Sequence, residues 1–194
     1  MRYLTSLLVA VLLPVFIVPA MASRGPAACT AQIINGDFEE GGAGWSAASA
    51  GSYNIFSQAA PHTGQWGAFL AGYNSADDRL TQDVALPAGQ TATLSFWWQA
   101  RTEETDHWWD TLDVEVTPGG GASARLLRVT DADAAAGWQQ AVFDLSAYAG
   151  QTVTLAFHAQ TDPDRPTDFY LDDVSIEACP TTSFFRLYLP LALH

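Results

Sequence analysis

Lysine is absent from this chain of 194 residues, and all eight of its basic residues are arginines. They stand against 21 acidic residues, which gives the chain a formal net charge of −13. Nucleic acids and anionic membranes are bound through clusters of Lys and Arg, so we expect neither as a partner. A surface with this excess of acid suits divalent cations and neutral polar ligands.

The short motifs of several large enzyme classes are also missing. The chain has no H-E-x-x-H zinc motif, no G-x-S-x-G nucleophile elbow and no glycine-rich phosphate loop. Its four histidines are scattered, so no zinc site is predicted. We therefore expect a non-catalytic protein. One alternative stays open, because Asp113 and Glu115 share a face of a predicted strand and retaining glycosidases need two carboxylates about 5 Å apart.

An apolar run occurs at residues 4–18, after a short basic start and before the small residues Ala20 and Ala22. This pattern predicts a secretory signal peptide over residues 1–22, and hence a protein that is secreted or held at the cell surface. The alternative is an uncleaved anchor, although the run is shorter than the ~20 apolar residues of a spanning helix.

Cysteine occurs only twice, at Cys29 and Cys179. In an exported chain two cysteines most simply form one disulfide. Loop-closure entropy sets an upper limit of ~4–5 kcal/mol on the stabilisation from so long a loop. Two free thiols are the alternative.

The sequence has no pattern typical of a long amphipathic helix. It has short patterns typical of β-strands instead. About ten regularly spaced strands, separated by Gly/Pro turns, predict an all-β fold of two packed antiparallel sheets. The clearest strand is 91–100, where Leu94, Phe96 and Trp98 share one face. No strand is predicted between residues 35 and 52.

These patterns give the predicted domain organisation. A linker at residues 23–28 precedes a single domain at 29–180, and residues 181–194 form an apolar tail. The tail is too short to cross a bilayer, so no transmembrane segment is expected in the mature chain. It is predicted either to cover the sandwich as an edge strand or to attach to a surface partner.

Several motifs together suggest a family. They are Asn35–Glu39, Leu94–Trp98, Asp144–Gln151 and Phe169–Val174, with Thr161-Asp162 before the last of them. Together they resemble the C-terminal jelly-roll domain of immune-inhibitor-A-type peptidases. More broadly, they are similar to MAM domains and to galactose-binding-like carbohydrate-binding modules. The resemblance covers residues 29–179 and implies a two-sheet jelly roll without catalytic activity.

The resemblance also implies a structural calcium ion beside the joined ends of the domain. It points to Glu39 and Asp173 as ligands, with Asp37 as a weaker candidate. Calcium takes six to eight oxygen ligands, and acids beside glycine-rich turns supply such oxygens. Strand alternation does not sort apolar residues cleanly at Asp172 and Asp173, so we expect a carboxylate to point inward there. The alternative is that both are solvated acids.

A sugar-binding surface is predicted around Trp97, on the polar face of strand 91–100. Aromatic faces pack against sugar C–H groups, while amides, carboxylates and guanidinium groups bind hydroxyls. The candidate ligand-binding residues, expected to lie on one sheet face or in nearby loops, are Tyr73, Trp97, Gln99, Arg101, Trp108, Trp109 and Asp113. The alternative is that loops cover the tryptophans, which are usually highly buried.

The acidic loop at residues 102–110 is a further candidate. We expect it to hold ligand or a second ion, and the alternative is a solvated hairpin loop. The predicted partner is therefore a carbohydrate or another cell-surface ligand. A structural or adhesive surface protein without glycan binding remains the alternative function.

Overall fold

The computed structural model of the protein describes residues 28–105, 109–135 and 137–181. The predicted signal peptide, most of the linker, Trp108 and nearly all of the C-terminal tail lie outside these residues. Among the residues described, no helix is long and apolar enough to cross a membrane.

The described residues form eleven strands and two short 3₁₀ turns. The strands are β1 (Thr30–Ala31), β2 (Ser46–Ser49), β3 (Phe56–Ser57), β4 (Gly67–Ala71), β5 (Asp77–Ala85), β6 (Gln90–Thr102), β7 (Thr111–Pro118), β8 (Ala124–Thr130), β9 (Gln139–Asp144), β10 (Thr152–Gln160) and β11 (Thr167–Pro180). The 3₁₀ turns are Asp131–Asp133 and Ser146–Tyr148.

Two antiparallel sheets contain all these strands. The six-stranded sheet has the order β3-β4-β11-β6-β9, with β1 also paired to β11. The five-stranded sheet has the order β2-β5-β10-β7-β8. The predicted all-β jelly-roll sandwich is therefore confirmed.

The hydrophobic core lies between the sheets and follows the expected alternation. Leu94 and Phe96 of β6 are fully buried, as are Leu155 and Phe157 of β10. The rings of Phe96 and Phe157 meet edge to face across the core, with centroids 5.3 Å apart. Aromatic pairs favour this geometry.

Strand β2 is the element that the sequence does not predict. Its residues, Ser46–Ser49, include no β-branched or aromatic side chain, so their strand propensity is low. The strand forms because it pairs with β5, with Ser46 opposite Thr81. Tertiary pairing here outweighs local preference.

The two ends of the domain meet, as predicted. Cys29 and Cys179 form a disulfide, and Thr30 pairs with Ala178 just inside it. At the other end of β11, Thr167 pairs with Thr102 of β6. At about 3.3 Å per residue, β11 separates these two ends of the sandwich by roughly 40 Å.

Candidate functional site

Two of the three acids predicted to bind calcium, Glu39 and Asp173, lie against one loop, residues 61–66. Asp173 Oδ2 is 2.6 Å from His62 Nδ1, and the Thr63 hydroxyl donates to Asp173 Oδ1 at 2.7 Å. Glu39 Oε1 accepts hydrogen bonds from the backbone N–H groups of residues 65–66 at 2.6 and 2.8 Å. The 61–66 loop therefore contacts both the first loop of the domain, through Glu39, and the last strand, through Asp173.

A β-bulge explains the unclear alternation at Asp172 and Asp173. The register of β11 shifts between Asp172 and Ser175, and Asp173 has a φ of 48°. The extra residue lets Leu171 and Val174 both face the core.

The expectation of an inward-pointing carboxylate is wrong, and so is the alternative of two solvated acids. Asp172 is fully buried, but it lies beneath the loop, where its Oδ2 accepts the backbone N–H groups of His62 and Thr63 at 2.7 and 3.1 Å. Burial raises the pKa of Asp172, although these N–H groups oppose the shift. The hydrogen-bond donors to this carboxylate therefore come from the 61–66 loop and not from the core.

Asp37 is exposed, and it does not complete a cluster with Glu39 and Asp173. Within the described ranges, the single group of three acids with oxygens inside 4.8 Å of one another lies elsewhere. A calcium ion held by Glu39 and Asp173 would need backbone carbonyls or water for its remaining ligands. Calcium at this position stays a prediction.

Trp97 lies on the outer face of the six-stranded sheet, as the alternation predicts, but it is covered. The His62 ring stacks on it, with centroids 4.1 Å apart and planes inclined by 16°. The Trp138 ring meets His62 edge-on at 5.3 Å. One face of Trp97 is therefore covered by the 61–66 loop, as in the alternative in which loops cover the tryptophans.

Gln99 and Arg101 extend the same outer face toward the start of β11. The Arg101 guanidinium lies 4.9 Å above the centre of the Tyr170 ring and donates to Gln99 Oε1 at 2.8 Å. Phe69 stacks beside Tyr170, with centroids 5.2 Å apart. Gln99 and Tyr170 are buried, so Arg101 is the group of this set that reaches the neighbouring pocket.

The expectation that Asp113 shares the face of Trp97 is wrong. Asp113 belongs to β7 in the five-stranded sheet, because the chain changes sheet between β6 and β7. Its carboxylate accepts two hydrogen bonds from Arg128, at 2.7 and 2.5 Å, and Arg125 lies 3.5 Å away.

Tyr73 is also engaged elsewhere. Its hydroxyl donates to Asp78 Oδ1 at 2.8 Å and accepts the Gly51 N–H at 2.7 Å, while its ring packs edge-on against Tyr53. Its polar atom is therefore satisfied inside the fold, away from Trp97.

A pocket of about 230 Å³ opens where β6 and β11 meet at the end of the sandwich opposite the disulfide. It is lined by Gly72, Arg101, Thr102, Glu103, Pro166 and Asp168. Burial raises the pKa of Asp168, although the hydroxyl of Tyr170 donates to its Oδ2 at 3.0 Å. The pocket thus combines a cation, two carboxylates and a hydroxyl.

Three further acids lie at this end of the molecule. One carboxylate oxygen each from Glu104, Asp110 and Asp162 forms a group within 4.8 Å. Burial raises the pKa of Glu104 and of Asp110, and nearby carboxylates raise both further. Trp109, next to Asp110 in the chain, is 65% exposed.

The sequence predicts only some of the residues that lie at this end of the molecule. The acidic loop, Arg101 and Trp109 are predicted, whereas Asp162, Asp168 and Tyr170 are not among the site candidates. Asp162 and Tyr170 fall within motifs that carry the family resemblance, and Asp168 directly precedes one of them, but no spacing rule connects them to β6. Asp168 and Tyr170 reach this end because β11 pairs with β6, and Asp162 because β10 pairs with β7.

Comparison with known proteins supports the fold. No family model matches the chain. It is 34% identical to the pre-pro-metalloprotease PrtV of Vibrio cholerae serotype O1 over 117 residues, which cover 54% of this chain. The match spans only 12% of the length of that relative.

Two solved structures with a similar fold are a carbohydrate-binding module and an adhesin domain. TmCBM61, solved in complex with β-1,4-galactotriose, has a TM-score of 0.59 at 17% identity, covering 76% of this chain and 97% of that one. The K3 adhesin domain of Lys-gingipain from Porphyromonas gingivalis has a TM-score of 0.53 at 22% identity, covering 75% and 98%. The chain is thus similar to jelly-roll modules in its fold.

Proposed function

We propose that this protein is an exported, non-catalytic module that binds carbohydrate at the end of the sandwich opposite the disulfide. The observation that carries the proposal is the polar pocket lined by Arg101, Glu103 and Asp168. Ligand sites typically combine a concave surface with a few convergent polar groups. Trp109 supplies an exposed aromatic face at the same end.

The chemistry of the pocket suits a neutral sugar. A guanidinium group donates hydrogen bonds and carboxylates accept them. A sugar hydroxyl can therefore be bound both as an acceptor and as a donor. The excess of acid over the whole chain disfavours anionic ligands. The similarity in fold to TmCBM61, which was solved with a galactose trisaccharide, supports this ligand class.

Both carboxylates that the glycosidase alternative would use lie beside arginines, which is consistent with a non-catalytic role. Asp113 is held by Arg128, and the Glu115 carboxylate lies 3.8 Å from Arg79. Hydrogen bonds and charge from Arg128 lower the pKa of Asp113 although burial opposes them. A carboxylate paired in this way is a poor nucleophile, so this alternative is not favoured.

The proposal predicts selective glycan binding that depends on the pocket. On a glycan array with calcium present, we expect the chain to retain one class of neutral oligosaccharide. Trp109→Ala and Arg101→Ala should each weaken binding to the best ligand by roughly 10-fold or more, because stacking or hydrogen bonding is lost. Isothermal titration with the best oligosaccharide measures the change.

Ile34→Ala serves as the control, since Ile34 is also exposed, at 61%, but lies in the segment that follows β1. It should bind as the parent chain does. An array without any bound glycan, or an affinity unchanged by Trp109→Ala and Arg101→Ala, would contradict the proposed site.

An adhesive function is the second candidate, because the K3 adhesin domain shares the fold. In that case the chain would bind a cell-surface protein and no glycan. Its predicted apolar tail would then be a candidate contact, and truncation after Pro180 should reduce retention on cells. Retention that is unchanged by this truncation would contradict a role for the tail.

We also propose that Glu39 and Asp173 hold a structural calcium ion, which clamps the first loop of the domain to β11. Their common contact with the 61–66 loop supports this assignment. Calcium would supply charge compensation there. A calcium ion that binds only the folded state must raise the stability of that state.

Thermal melting tests this ion. The midpoint should be several degrees higher in calcium than in chelator, and Glu39→Gln should reduce that difference. Glu40→Gln is the matched control, because Glu40 is an exposed acid one residue away. Equal calcium responses in the parent, Glu39→Gln and Glu40→Gln would exclude Glu39 as a ligand.

A further inference from the structure

Glu104 and Asp110 lie in the connection between β6 and β7, Asp162 follows β10, and the three acids meet at the pocket end of the sandwich. One carboxylate oxygen from each lies within 4.8 Å of the others. Two oxygens bound to one calcium ion at 2.3–2.6 Å can be at most about 5 Å apart. The spacing of the three oxygens therefore fits a common cation of that size.

Unsatisfied oxygen atoms provide an independent indication of a ligand. Asp110 is fully buried; its Oδ1 accepts the Asp162 N–H at 2.9 Å, but its Oδ2 has no donor among the described residues. The same holds for the buried Oε1 of Glu104. The Thr167 hydroxyl, which lowers the pKa of Asp110, also shares a 2.8 Å hydrogen bond with Thr102, in which either oxygen can be the donor. Buried anionic oxygens without a partner are costly.

Like charge surrounds these atoms. The pKa of Glu104 is raised first by burial and then by the carboxylates of Asp162, Asp110, Asp164 and Asp131. Each of these carboxylates disfavours the ionised form of its neighbours. A bound cation removes the repulsion and satisfies the unmatched oxygens together.

We propose that Glu104, Asp110 and Asp162 form a second binding site for a divalent cation of the calcium class. Carboxylate oxygens are ligands for hard cations, and the three supply half or fewer of the six to eight positions around calcium if each gives one oxygen. Water and backbone carbonyls would fill the others. The site is distinct from that of Glu39 and Asp173, because Asp173 lies in the bulge of β11 and Glu39 lies between β1 and β2.

Cation binding here would link segments that border the pocket. Glu104 follows Glu103, which lines the pocket, and Asp162 donates its N–H to Asp110. A cation shared by the three acids joins the segment after β6 to the segments before β7 and after β10. The site itself does not depend on what the pocket binds.

Calcium titration of the full chain and of two variants tests the proposal. Glu104→Gln and Asp110→Asn each remove one anionic ligand while keeping the side chain's shape. We expect calorimetry to show either one calcium fewer than in the parent or a loss of affinity on the order of 10–100-fold at one site. Glu40→Gln is the control, because Glu40 is an exposed acid outside the triad and is not among the carboxylates that act on Glu104, and its titration should equal that of the parent.

Melting in chelator separates a metal ligand from a purely structural acid. Without an ion, Glu104→Gln and Asp110→Asn relieve repulsion, so their midpoints should equal or exceed that of the parent. In calcium, the parent should gain about 5–10 °C from a site at 100-fold saturation, and the variants should lose that gain.

Calcium titrations identical to that of the parent in both variants would overturn the proposal. So would a lower midpoint in chelator together with an unchanged response to calcium, because a structural role alone predicts that pair of results. Both readouts use calcium without glycan, so a failure of carbohydrate binding leaves this test intact. Using Glu39→Gln as a second parent chain distinguishes the two cation sites.

Discussion

The Asp113 carboxylate lies on the outer face of the five-stranded sheet and is held by two arginines. Burial tends to raise its pKa, but the hydrogen bonds and charge of Arg128, with Arg125, lower the pKa below its ordinary value. Because the folded state favours the ionised form, this carboxylate stabilises the fold above about pH 4, the unfolded pKa of Asp. The stabilisation is lost as pH falls through the lowered pKa.

Asp113→Asn should therefore destabilise the chain at pH 7 by about 1–2 kcal/mol, since the partly exposed arginines limit the gain from pairing. The deficit should begin to shrink below about pH 4, the unfolded pKa of Asp, and should close as Asp113 of the folded parent is protonated at its lowered pKa. Urea unfolding of both chains in chelator, across the acidic range, measures this closing difference.

Asp37→Asn is the control for the same experiment, because Asp37 is exposed. It should change the free energy of unfolding by less than about 0.5 kcal/mol at any pH. A destabilisation of Asp113→Asn that stays constant down to the lowest pH would show that the Arg128 pair does not set the pKa of Asp113.

At the scale of single elements, the bulge in β11 organises the calcium candidates and the chain's first loop. The Val174 N–H donates to Gly36 O at 2.9 Å, so the loop that begins at Asn35 rests directly on the bulge. A Cβ at Gly36 would lie 1.8 Å from Val174 O. Only glycine permits this approach without a shift of the backbone.

Gly36→Ala should therefore separate the loop from β11. We expect a loss of about 2–3 kcal/mol in the free energy of unfolding, at the upper end of the usual cost of overpacking, because the clash is with backbone. The calcium-dependent rise in melting temperature should also fall if Glu39 is displaced. Urea unfolding and melting with calcium measure the two effects.

Gly137→Ala is the matched control, since a Cβ there meets nothing within 4 Å. It should leave stability within about 0.5 kcal/mol of the parent. If Gly36→Ala proved equally neutral, the close contact between the loop and the bulge would not exist in solution.

At the scale of the whole molecule, local patterns predict much of the fold. Alternation identifies β6, and cysteine scarcity together with predicted export identifies the disulfide, which the structure confirms. Alternation cannot assign strands to sheets, so the prediction that Asp113 lies on the same face as Trp97 fails. The weak strand β2 needs its partner β5 to form, so no local signal reveals it.

The candidate site is less predictable than the fold. Its acids come from segments far apart in the chain, and only the pairing of β11 with β6 brings Asp168 opposite Arg101. The covering of Trp97 by His62 also depends on a loop whose path the sequence does not reveal. Sequence patterns identify residue types suited to binding, whereas long-range pairing decides which of them meet.

The bond between Cys29 and Cys179 has a mechanical consequence, because the two Cα atoms are 4.2 Å apart. A force pulling on the chain from outside the domain enters at one cysteine and leaves at the other through the covalent bond. The sandwich then carries no load, and the pocket, roughly 40 Å away along β11, keeps its shape under tension. After reduction, the same force would peel β1 from β11 one residue pair at a time, starting with Thr30 and Ala178.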